Sequence, residues 1–169
     1  MTWRRYFAYG SNMLVARLRE RTPSARLVGA ASLAGHSLHF HHVSRQDGTA
    51  KCNIAACEGE VVHGVVYDVH ASEQPVLDRA EDLGRGYHIE ERQVLLGADS
   101  VSVFCYVAVP GTIDDNRQPF RWYRDIVLAG AQEHGFPSGY VARIAREPVI
   151  EDPDAERAAR HAALLAAAD

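Results

Sequence analysis

The sequence predicts an α+β fold in which a small mixed β-barrel is flanked by helices. About six or seven short runs are rich in β-branched and aromatic residues, which is typical of strands. Three or four helical patterns lie among them in an irregular order, unlike the regular alternation that builds a doubly wound parallel sheet. Turn residues separate the short strands, so the sheet is able to close on itself.

Composition limits the domain organisation and the kinds of partner. The 169 residues, of which 47% are hydrophobic, fit one globular domain with a substantial core. We assign residues 1–150 to that domain and residues 151–169 to a C-terminal helical tail. The formal net charge of −4 provides no basic field that would attract nucleic acid or an anionic membrane. A small-molecule or protein partner is therefore expected.

Targeting signals and cysteines indicate the compartment. The cationic first residues are not followed by a continuous apolar run of the kind found in signal peptides. No apolar run approaches the ~20 residues of a membrane span. Cys52, Cys57 and Cys105 form an odd count without a Cys-x-x-Cys pair, which favours reduced thiols over a disulfide framework. We therefore expect a cytoplasmic protein.

The first element is a strand that ends in a tight polar turn. Residues 6–9 are β-formers, and Gly10 permits a positive φ. Ser11 and Asn12 are residue types that cap helices, and a helical pattern starts at Met13. Such a turn directs several backbone N–H groups toward one concave spot, which suits an anion or a developing oxyanion. We therefore predict that the active site is built at this turn.

The next elements are a short helix and two pairs of strands. The helix spans residues 13–21 and is ended by the following Thr-Pro-Ser turn. Residues 25–43 predict two strands that are broken near Gly35. Residues 51–69 predict a hairpin around Gly59, whose charged neighbours stay in water.

The second half of the chain predicts a helix, two strands and further helices. The first helix has Ser72 as its N-cap and stops before Gly84. The later elements are assigned from their apolar periodicity and from the Gly and Pro residues around them. They are strands at residues 87–95 and 100–109, helices at 119–135 and 138–145, and an N-capped helix at 152–169.

A titratable partner for the polar turn lies at the end of the helix before Gly84. Glu81 and Asp82 stand there beside a glycine-rich loop and Tyr87. A carboxylate in a partly apolar cleft has a raised pKa, which suits a general base near neutral pH. Glu81 is the candidate base. The simpler interpretation is that both acids are ordinary solvated residues at a helix end.

Several motifs, taken together, resemble one enzyme family. They are Phe7-Ala8-Tyr9-Gly10-Ser11-Asn12, Val65-Val66-Tyr67, Leu77-Asp78-x-x-Glu81, Gly86-Tyr87, and Tyr123 ahead of Gly130-Ala131-x-Glu133-x-Gly135. In this order the set is similar to the γ-glutamylcyclotransferases, and the similarity extends over most of the chain, from about residue 6 to about residue 144. The resemblance implies a small β-barrel flanked by helices and an enzyme that releases 5-oxoproline from γ-glutamyl amides.

The resemblance also implies roles for individual residues. Glu81 matches the family's catalytic glutamate, Tyr123 matches a substrate-binding tyrosine, and Tyr87 matches a tyrosine that lines the same pocket. It implies a small-molecule γ-glutamyl substrate, and we expect neither a cofactor nor a metal ion. The loop that holds the γ-glutamyl group is matched by Tyr6, Phe7, Ala8, Tyr9, Gly10 and Ser11, and Asn12 completes its motif.

The chemistry of the implied reaction agrees with these roles. The substrate's own α-amine attacks its γ-carbonyl carbon and closes a five-membered ring, so no Ser or Cys nucleophile is required. Holding the near-attack conformer can supply up to ~7–11 kcal/mol in favourable intramolecular cases. An α-amine with a pKa of about 8 is largely protonated at pH 7, so Glu81 would remove its proton and return it to the leaving amine. Backbone N–H groups of residues 8–11 would stabilise either the oxyanion or the substrate α-carboxylate.

Two features bear on the preferred substrate. The family usually has Gly after the catalytic glutamate, whereas here Asp82 follows Glu81. Asp82 would raise the pKa of Glu81 if the two side chains converged. Residues 110–119 form an insert with several polar side chains, and we predict that it lines the mouth of the pocket and selects the leaving amine.

Other interpretations stay open at the level of sequence. His39 and His41 share a strand face, but no further ligand has the spacing diagnostic of a metal site. A thiol hydrolase is disfavoured because the cysteines lie in apolar strand runs. The fold could also serve as a non-catalytic γ-glutamyl-binding module, or remove a γ-glutamyl tag from a biosynthetic or carrier-bound amine.

The aromatic residues of the C-terminal third have two interpretations. Trp122, Tyr123, Phe136 and Tyr140 have helical spacing, which favours a place in the core, but they could also form a partner surface. Exposed aromatic side chains and the family resemblance together favour a homodimer. No pattern in the chain ranks the candidate leaving amines.

Overall fold

The fold is a closed barrel with helices packed around it. The computed structural model describes residues 2–167, so Met1 and the last two residues of the predicted tail, Ala168 and Asp169, lie outside the described chain. Around the barrel the strand order is β1-β3-β2-β4-β5, in which β1 and β5 pair in parallel and the other neighbours pair antiparallel. This confirms the predicted α+β fold with a small mixed barrel. Within residues 2–167 the strands are β1 (Trp3–Ala8), β2 (Arg26–Val43), β3 (Ala50–His70), β4 (Tyr87–Leu96) and β5 (Asp99–Ala108).

The two long strands, β2 and β3, are continuous where the sequence predicted breaks. They pair antiparallel along their length and are joined by residues 44–49, so the hairpin lies between them and not inside β3. Gly35 (φ 73°) and Gly59 (φ 82°) lie at a register shift in this pairing. A bulge bends a strand without ending it. The predictions of a break near Gly35 and of a hairpin around Gly59 were therefore wrong.

Helices and short helical turns cover the outside of the barrel. The predicted N-cap of the second helix was wrong, because no side chain caps this helix and the Ser72 hydroxyl instead bonds to His70 Nδ1 at 2.7 Å. In the tail, the backbone N–H of Arg157 donates to Asp154 Oδ1 at 3.0 Å, which is the kind of side-chain cap that was predicted. Between residues 2 and 167 no helix is long and apolar enough to cross a membrane. The described helices are α1 (Val15–Arg21), α2 (Gln74–Ala80), α3 (Arg121–Glu133), α4 (Ser138–Ala145) and α5 (Ala155–Ala167), with 3-10 turns at Ser11–Met13 and Pro110–Thr112.

The tail helix α5 packs onto α3. The His161 ring stacks on Trp122 with ring centroids 3.8 Å apart, and Leu164 is buried. Trp122, Tyr123 and Phe136 are also buried, so they belong to the core and the interpretation of an exposed aromatic surface was wrong for them. The domain boundary at residue 150 stays a prediction.

Two glycines allow the close packing that positions the turn after β1. Phe7 is fully buried in the barrel, and a Cβ on Gly64 would overlap its ring. On helix α3, a Cβ on Gly130 would lie 2.8 Å from Met13 Cβ and 2.9 Å from Leu14 N. Both distances are shorter than ordinary contacts between carbon or nitrogen atoms. Glycine at these positions therefore lets α3 and the barrel hold the 3-10 turn from both sides.

Candidate active site

The polar turn after β1 has a different backbone from the one predicted. Gly10 has φ −115° and ψ −137°, so the prediction of a positive φ was wrong. The reason for glycine here is close packing, since an added Cβ would lie 3.0 Å from Cys52 Cβ and 3.4 Å from the Tyr123 hydroxyl. No side chain caps the turn at Ser11–Met13, so Ser11 and Asn12 do not act as the predicted caps.

Asn12 connects the turn to the carboxylate of Glu81. Its side chain is buried, and Arg21 Nη1 donates to its Oδ1 at 2.9 Å. Because Arg21 bonds to the oxygen, the amide nitrogen of Asn12 faces the other way. That nitrogen donates to Glu81 Oε1 and to the Tyr6 hydroxyl, both at 3.0 Å. The amide of Asn12 therefore holds the carboxylate of Glu81 in one position.

Glu81 is the residue immediately after helix α2, and its backbone N–H donates to Leu77 O at 3.0 Å. Its side chain is only 17% exposed, with Arg21 Nη1 at 3.5 Å from Oε1. Burial raises the pKa of Glu81, while Arg21 and the hydrogen bond from Asn12 partly offset that rise. A carboxyl with a raised pKa accepts a proton more readily near neutral pH. The interpretation of Glu81 as an ordinary solvated acid was therefore wrong.

Asp82 points away from Glu81. It has φ 50°, in the left-handed region where glycine is favoured and Asp is tolerated better than most residues. Its carboxylate is 42% exposed and pairs with Arg45 Nη1 at 3.2 Å. The left-handed backbone explains why glycine suits this position, and the divergence of the side chains means that Asp82 does not raise the pKa of Glu81.

Buried tyrosines form the wall around Glu81. Tyr87 donates its hydroxyl proton to Cys52 O at 2.6 Å, while the hydroxyl of Tyr123 accepts from Cys52 N at 2.9 Å. Tyr9 donates to the carbonyl oxygen of Tyr106. Burial raises the pKa of Tyr9, Tyr87 and Tyr123 well above the usual value, so these phenols stay neutral. They act as fixed hydrogen-bonding groups and not as bases.

Two cavities meet at Glu81. An inner cavity of about 30 Å³ and an outer cavity of about 210 Å³ share Ser11, Glu81 and Tyr87 in their walls. Of the other predicted site residues, Tyr123 lines the outer cavity, while Phe7 and Ala8 line neither and lie in the core. The inner cavity is lined by Tyr6, Tyr9, Gly10, Ser11, Asn12, Cys52, Glu81, Tyr87 and Tyr106.

The sequence interpretation missed several residues of this site. Tyr106 lines the inner cavity, and its hydroxyl donates to Asp78 Oδ1 at 2.5 Å. Alternation along β5 beside the aromatic strand β1 was a signal that could have indicated it. Arg21 and the α5 residues Arg157 and Arg160, which line the outer cavity, had no comparable signal.

The insert at residues 110–119 does not line this site. Asp115 lines a separate cavity of about 190 Å³ together with His39 and His41, so the prediction that the insert selects the leaving amine was wrong. The rings of His39 and His41 stack 4.7 Å apart, and His41 Nδ1 bonds to Asp115 Oδ1 at 3.0 Å. In the described part of the chain, no three His, Cys, Asp or Glu side chains come together as a metal site.

The cysteines lie in settings that disfavour a thiolate nucleophile. Cys52 lines the inner cavity but is buried, and burial raises the pKa of its thiol to about 12. Cys105 is buried as well, and its pKa is raised to about 11 for the same reason. A neutral thiol is a poor nucleophile at physiological pH.

The fold and the site together define the class of protein: a small closed barrel with flanking helices and a pocket that holds a largely shielded carboxylate among buried tyrosines. Comparison with known proteins gives the family. A family model described as "Gamma-glutamyl cyclotransferase, AIG2-like" matches residues 6–125, so the chain belongs to this family of enzymes. That match confirms the resemblance found in the sequence motifs.

Individual relatives agree with the family match. The human protein named Gamma-glutamylcyclotransferase is 29% identical over 145 residues, and the match covers 82% of this chain and 76% of the relative. The protein of the same name from Bos taurus is 27% identical over 150 residues, with the same coverage of 82% and 76%. A solved structure titled "Gamma-glutamyl cyclotransferase" superposes with a TM-score of 0.83 at 24% identity, and the match covers 94% of this chain and 97% of that one.

Proposed function

We propose that the protein releases 5-oxoproline from γ-glutamyl amides and that Glu81 is the general acid and base. The observation that carries the proposal is the position of Glu81, which is largely shielded from solvent at the junction of two cavities and bonded to Asn12 at 3.0 Å. The reaction needs a group that takes a proton at one nitrogen and delivers it to another. A carboxyl whose pKa is raised by burial suits both tasks.

The bond changes follow from this geometry. The γ-glutamyl group binds where the inner cavity opens into the outer one, and Glu81 removes a proton from its α-ammonium group. The α-nitrogen then attacks the γ-carbonyl carbon, the ring closes, and the bond from that carbon to the leaving nitrogen breaks. Glu81 returns the proton to the leaving nitrogen, and the ring nitrogen then gives up its second proton through Glu81 to the released amine, which departs as an ammonium ion. No protein nucleophile and no cofactor take part, and the restricted conformation of the substrate supplies much of the acceleration.

We further propose that backbone N–H groups at the start of the Ser11–Met13 turn stabilise the oxyanion formed at the γ-carbonyl. The first N–H groups of a helical turn have no acceptor within it, so they are available to a bound anion. The substrate α-carboxylate is the other group that these donors would suit. Tyr87 and Tyr123 are proposed to line the substrate pocket, which is consistent with their place in the wall of the outer cavity.

The test is 5-oxoproline release from γ-glutamyl dipeptides and γ-glutamyl amines by the wild type, Glu81→Gln and Glu91→Gln. Glu91 is exposed on β4 and lines neither cavity, so it controls for loss of a carboxylate elsewhere. Glu81→Gln should lower kcat by about 10²–10⁴-fold, the usual contribution of a general acid or base. Equal release by the wild type and Glu81→Gln would exclude Glu81 as the base. Binding of γ-glutamyl ligands without release by any variant would instead support a non-catalytic binding module.

We also propose that the protein works as a homodimer in the cytoplasm. Three free cysteines within the described residues are consistent with a reducing compartment. The homodimer rests on the family resemblance, because the aromatic residues that had favoured it are largely buried. Light scattering of the purified protein and fractionation of the source cells test the two proposals separately.

A further inference from the structure

The outer cavity carries an excess of positive charge. Six basic side chains line it against three carboxylates, although the whole chain has a formal net charge of −4. His42 and His161 also line it, but the pKa of each is lowered to about 4, mainly by burial, so neither adds charge at neutral pH. The excess is therefore local to this cavity and is not a property of the overall composition. The basic side chains are Arg17, Arg21, Arg45, Lys51, Arg157 and Arg160.

Most of these cations already have a carboxylate close by. Such pairs are locally neutral, so they attract a further anion only weakly. Arg17 has Glu20 at 3.6 Å, so among the six only Arg160 forms no ion pair with a described residue. The pairs are Lys51 with Asp47 at 3.0 Å, Arg45 with Asp82 at 3.2 Å, Arg21 with Glu81 at 3.5 Å and Arg157 with Asp152 at 2.6 Å.

Arg160 is the cation most available to a ligand, because Arg17 Nη1 already donates to His161 Nδ1 at 3.2 Å. The Arg17 side chain is only 11% exposed, and its buried Nε has no hydrogen-bond partner among the described residues. The nearest carboxylate to Arg17 is Glu20 at 3.6 Å, which is 53% exposed. Arg160 is exposed on α5 and forms no ion pair with any described residue.

The position of Glu81 determines which part of a substrate meets these cations. With the γ-glutamyl group bound at the mouth of the inner cavity, the leaving nitrogen lies beside Glu81, where the two cavities meet. The rest of the leaving amine then extends into the outer cavity. Arg17 enters that cavity from α1, and Arg160 enters it from the tail helix α5.

On the basis of the function proposed above, we infer that the protein selects γ-glutamyl substrates whose leaving amine is an acidic amino acid or a similar anionic amine. Arg160 is the specificity-determining residue, because it supplies positive charge that no described carboxylate neutralises. A neutral amine gains less from this cavity, and a cationic amine is repelled. A phosphate satisfies the same cations as a carboxylate, so both sources of negative charge belong to the inference.

The test compares substrates that differ only in charge. γ-Glutamyl-glutamate and γ-glutamyl-glutamine have leaving groups of nearly equal shape, and γ-glutamyl-O-phosphoserine with γ-glutamyl-serine extends the comparison to phosphate. Every one of these leaving groups carries an α-carboxylate, so the wild type should show kcat/KM about three- to tenfold higher for the member of a pair with the additional side-chain negative charge, as expected for one or two partly exposed charge contacts. Raising NaCl from about 0.01 M to about 0.1 M shortens the Debye length from about 30 Å to about 10 Å and should reduce this preference.

A variant with a matched control assigns the preference to its source. Arg160→Gln should lower kcat/KM for γ-glutamyl-glutamate about two- to fivefold more than for γ-glutamyl-glutamine. Arg160 is exposed, so the substitution should leave the fold intact, which a thermal unfolding curve verifies. Arg19→Gln is the control, because Arg19 is exposed on α1 and lies outside the cavity. The control should leave the ratio unchanged.

The outcomes separate this inference from the function on which it rests. A charge preference that falls with salt and with Arg160→Gln supports the inference. The substrate pair with the larger preference shows whether the cavity favours a carboxylate or a phosphate on the leaving amine. Equal kcat/KM within both pairs overturns the inference while leaving 5-oxoproline release in place. If 5-oxoproline is released neither from these four substrates nor from the wider set of γ-glutamyl dipeptides and γ-glutamyl amines, the proposed function itself is overturned.

Discussion

The substitution Gly130→Ala tests whether helix α3 holds the turn that carries Asn12. In an unobstructed helix interior, Ala is more stable than Gly by about 0.8–1.0 kcal/mol, because Gly loses more conformational entropy. At Gly130, however, the added Cβ would lie 2.8 Å from Met13 Cβ and 2.9 Å from Leu14 N. Neither atom can rotate away, since one is backbone and the other is attached directly to it. Either α3 or the turn must therefore move.

The size of the effect follows from these distances. Restoring an optimal separation of about 3.5 Å requires a displacement of about 0.7 Å. Overpacking of this kind costs about 1–3 kcal/mol. After subtraction of the helix-propensity gain, Gly130→Ala should lower the free energy of unfolding by up to about 2 kcal/mol, or Tm by up to about 8 °C. A misplacement of about 1 Å can cost about 10²-fold in rate, so kcat/KM should also fall by about tenfold.

Gly139→Ala is the matched control for this prediction. Gly139 lies in helix α4, and an added Cβ there would meet no atom within 4 Å. The control should raise stability by up to about 1 kcal/mol and leave 5-oxoproline release unchanged. Chemical denaturation, thermal unfolding and the kinetic assay are applied to both variants. A Gly130→Ala variant as stable as Gly139→Ala would refute the steric argument, and unchanged kcat/KM in a destabilised variant would refute the link between α3 and Asn12.

Three further substitutions test the electrostatics and backbone of the site. Arg21→Gln removes the cation at 3.5 Å that lowers the pKa of Glu81, so the acid limb of the pH profile of kcat/KM should move to higher pH. Exposed Arg19→Gln should leave this limb in place, and an unmoved limb in Arg21→Gln would assign it to another group. Glu81→Gln removes an acid whose pKa burial raises, so the variant should have a higher Tm than the wild type near pH 7, and this gain should vanish below the unfolded pKa of about 4.3. A gain of equal size at every pH would contradict that linkage. Asp82 has φ 50°, so Asp82→Gly should be about 1–2 kcal/mol more stable than Asp82→Ala in chemical denaturation, and equal stabilities would contradict a left-handed backbone.

The strands show where local pattern was sufficient and where it was not. Each end of β4 and β5 was predicted to within one residue, since turn residues bound these strands on both sides. In β2 and β3, glycines suggested ends where the strands only bend. Gly35 and Gly59 both have positive φ, as turn glycines do, so their local signal is the same. Only the pairing of the two strands distinguishes a bulge from an end.

The site divides in a similar way. The two motifs that contain Asn12 and Glu81 were visible in the sequence, and the structure places these side chains within hydrogen-bonding distance of each other. The sequence did not indicate that Arg21 orients Asn12 or that Arg160 reaches the pocket from the tail. These contacts join segments that are distant along the chain, and no local periodicity encodes such distances.

The sequence by itself determined the strand-rich composition, most helices, the family and the candidate acid. These features depend on residue types and short spacings, because local steric and hydrophobic preferences act between residues that are close together in the chain. Only the tertiary structure decided the direction in which the pKa of Glu81 moves, the divergence of Asp82 and the positive charge of the outer cavity. The pKa of a carboxyl depends on its burial and on charges a few ångströms away. Both quantities are set by how distant segments pack together, and so they exist only in the folded chain.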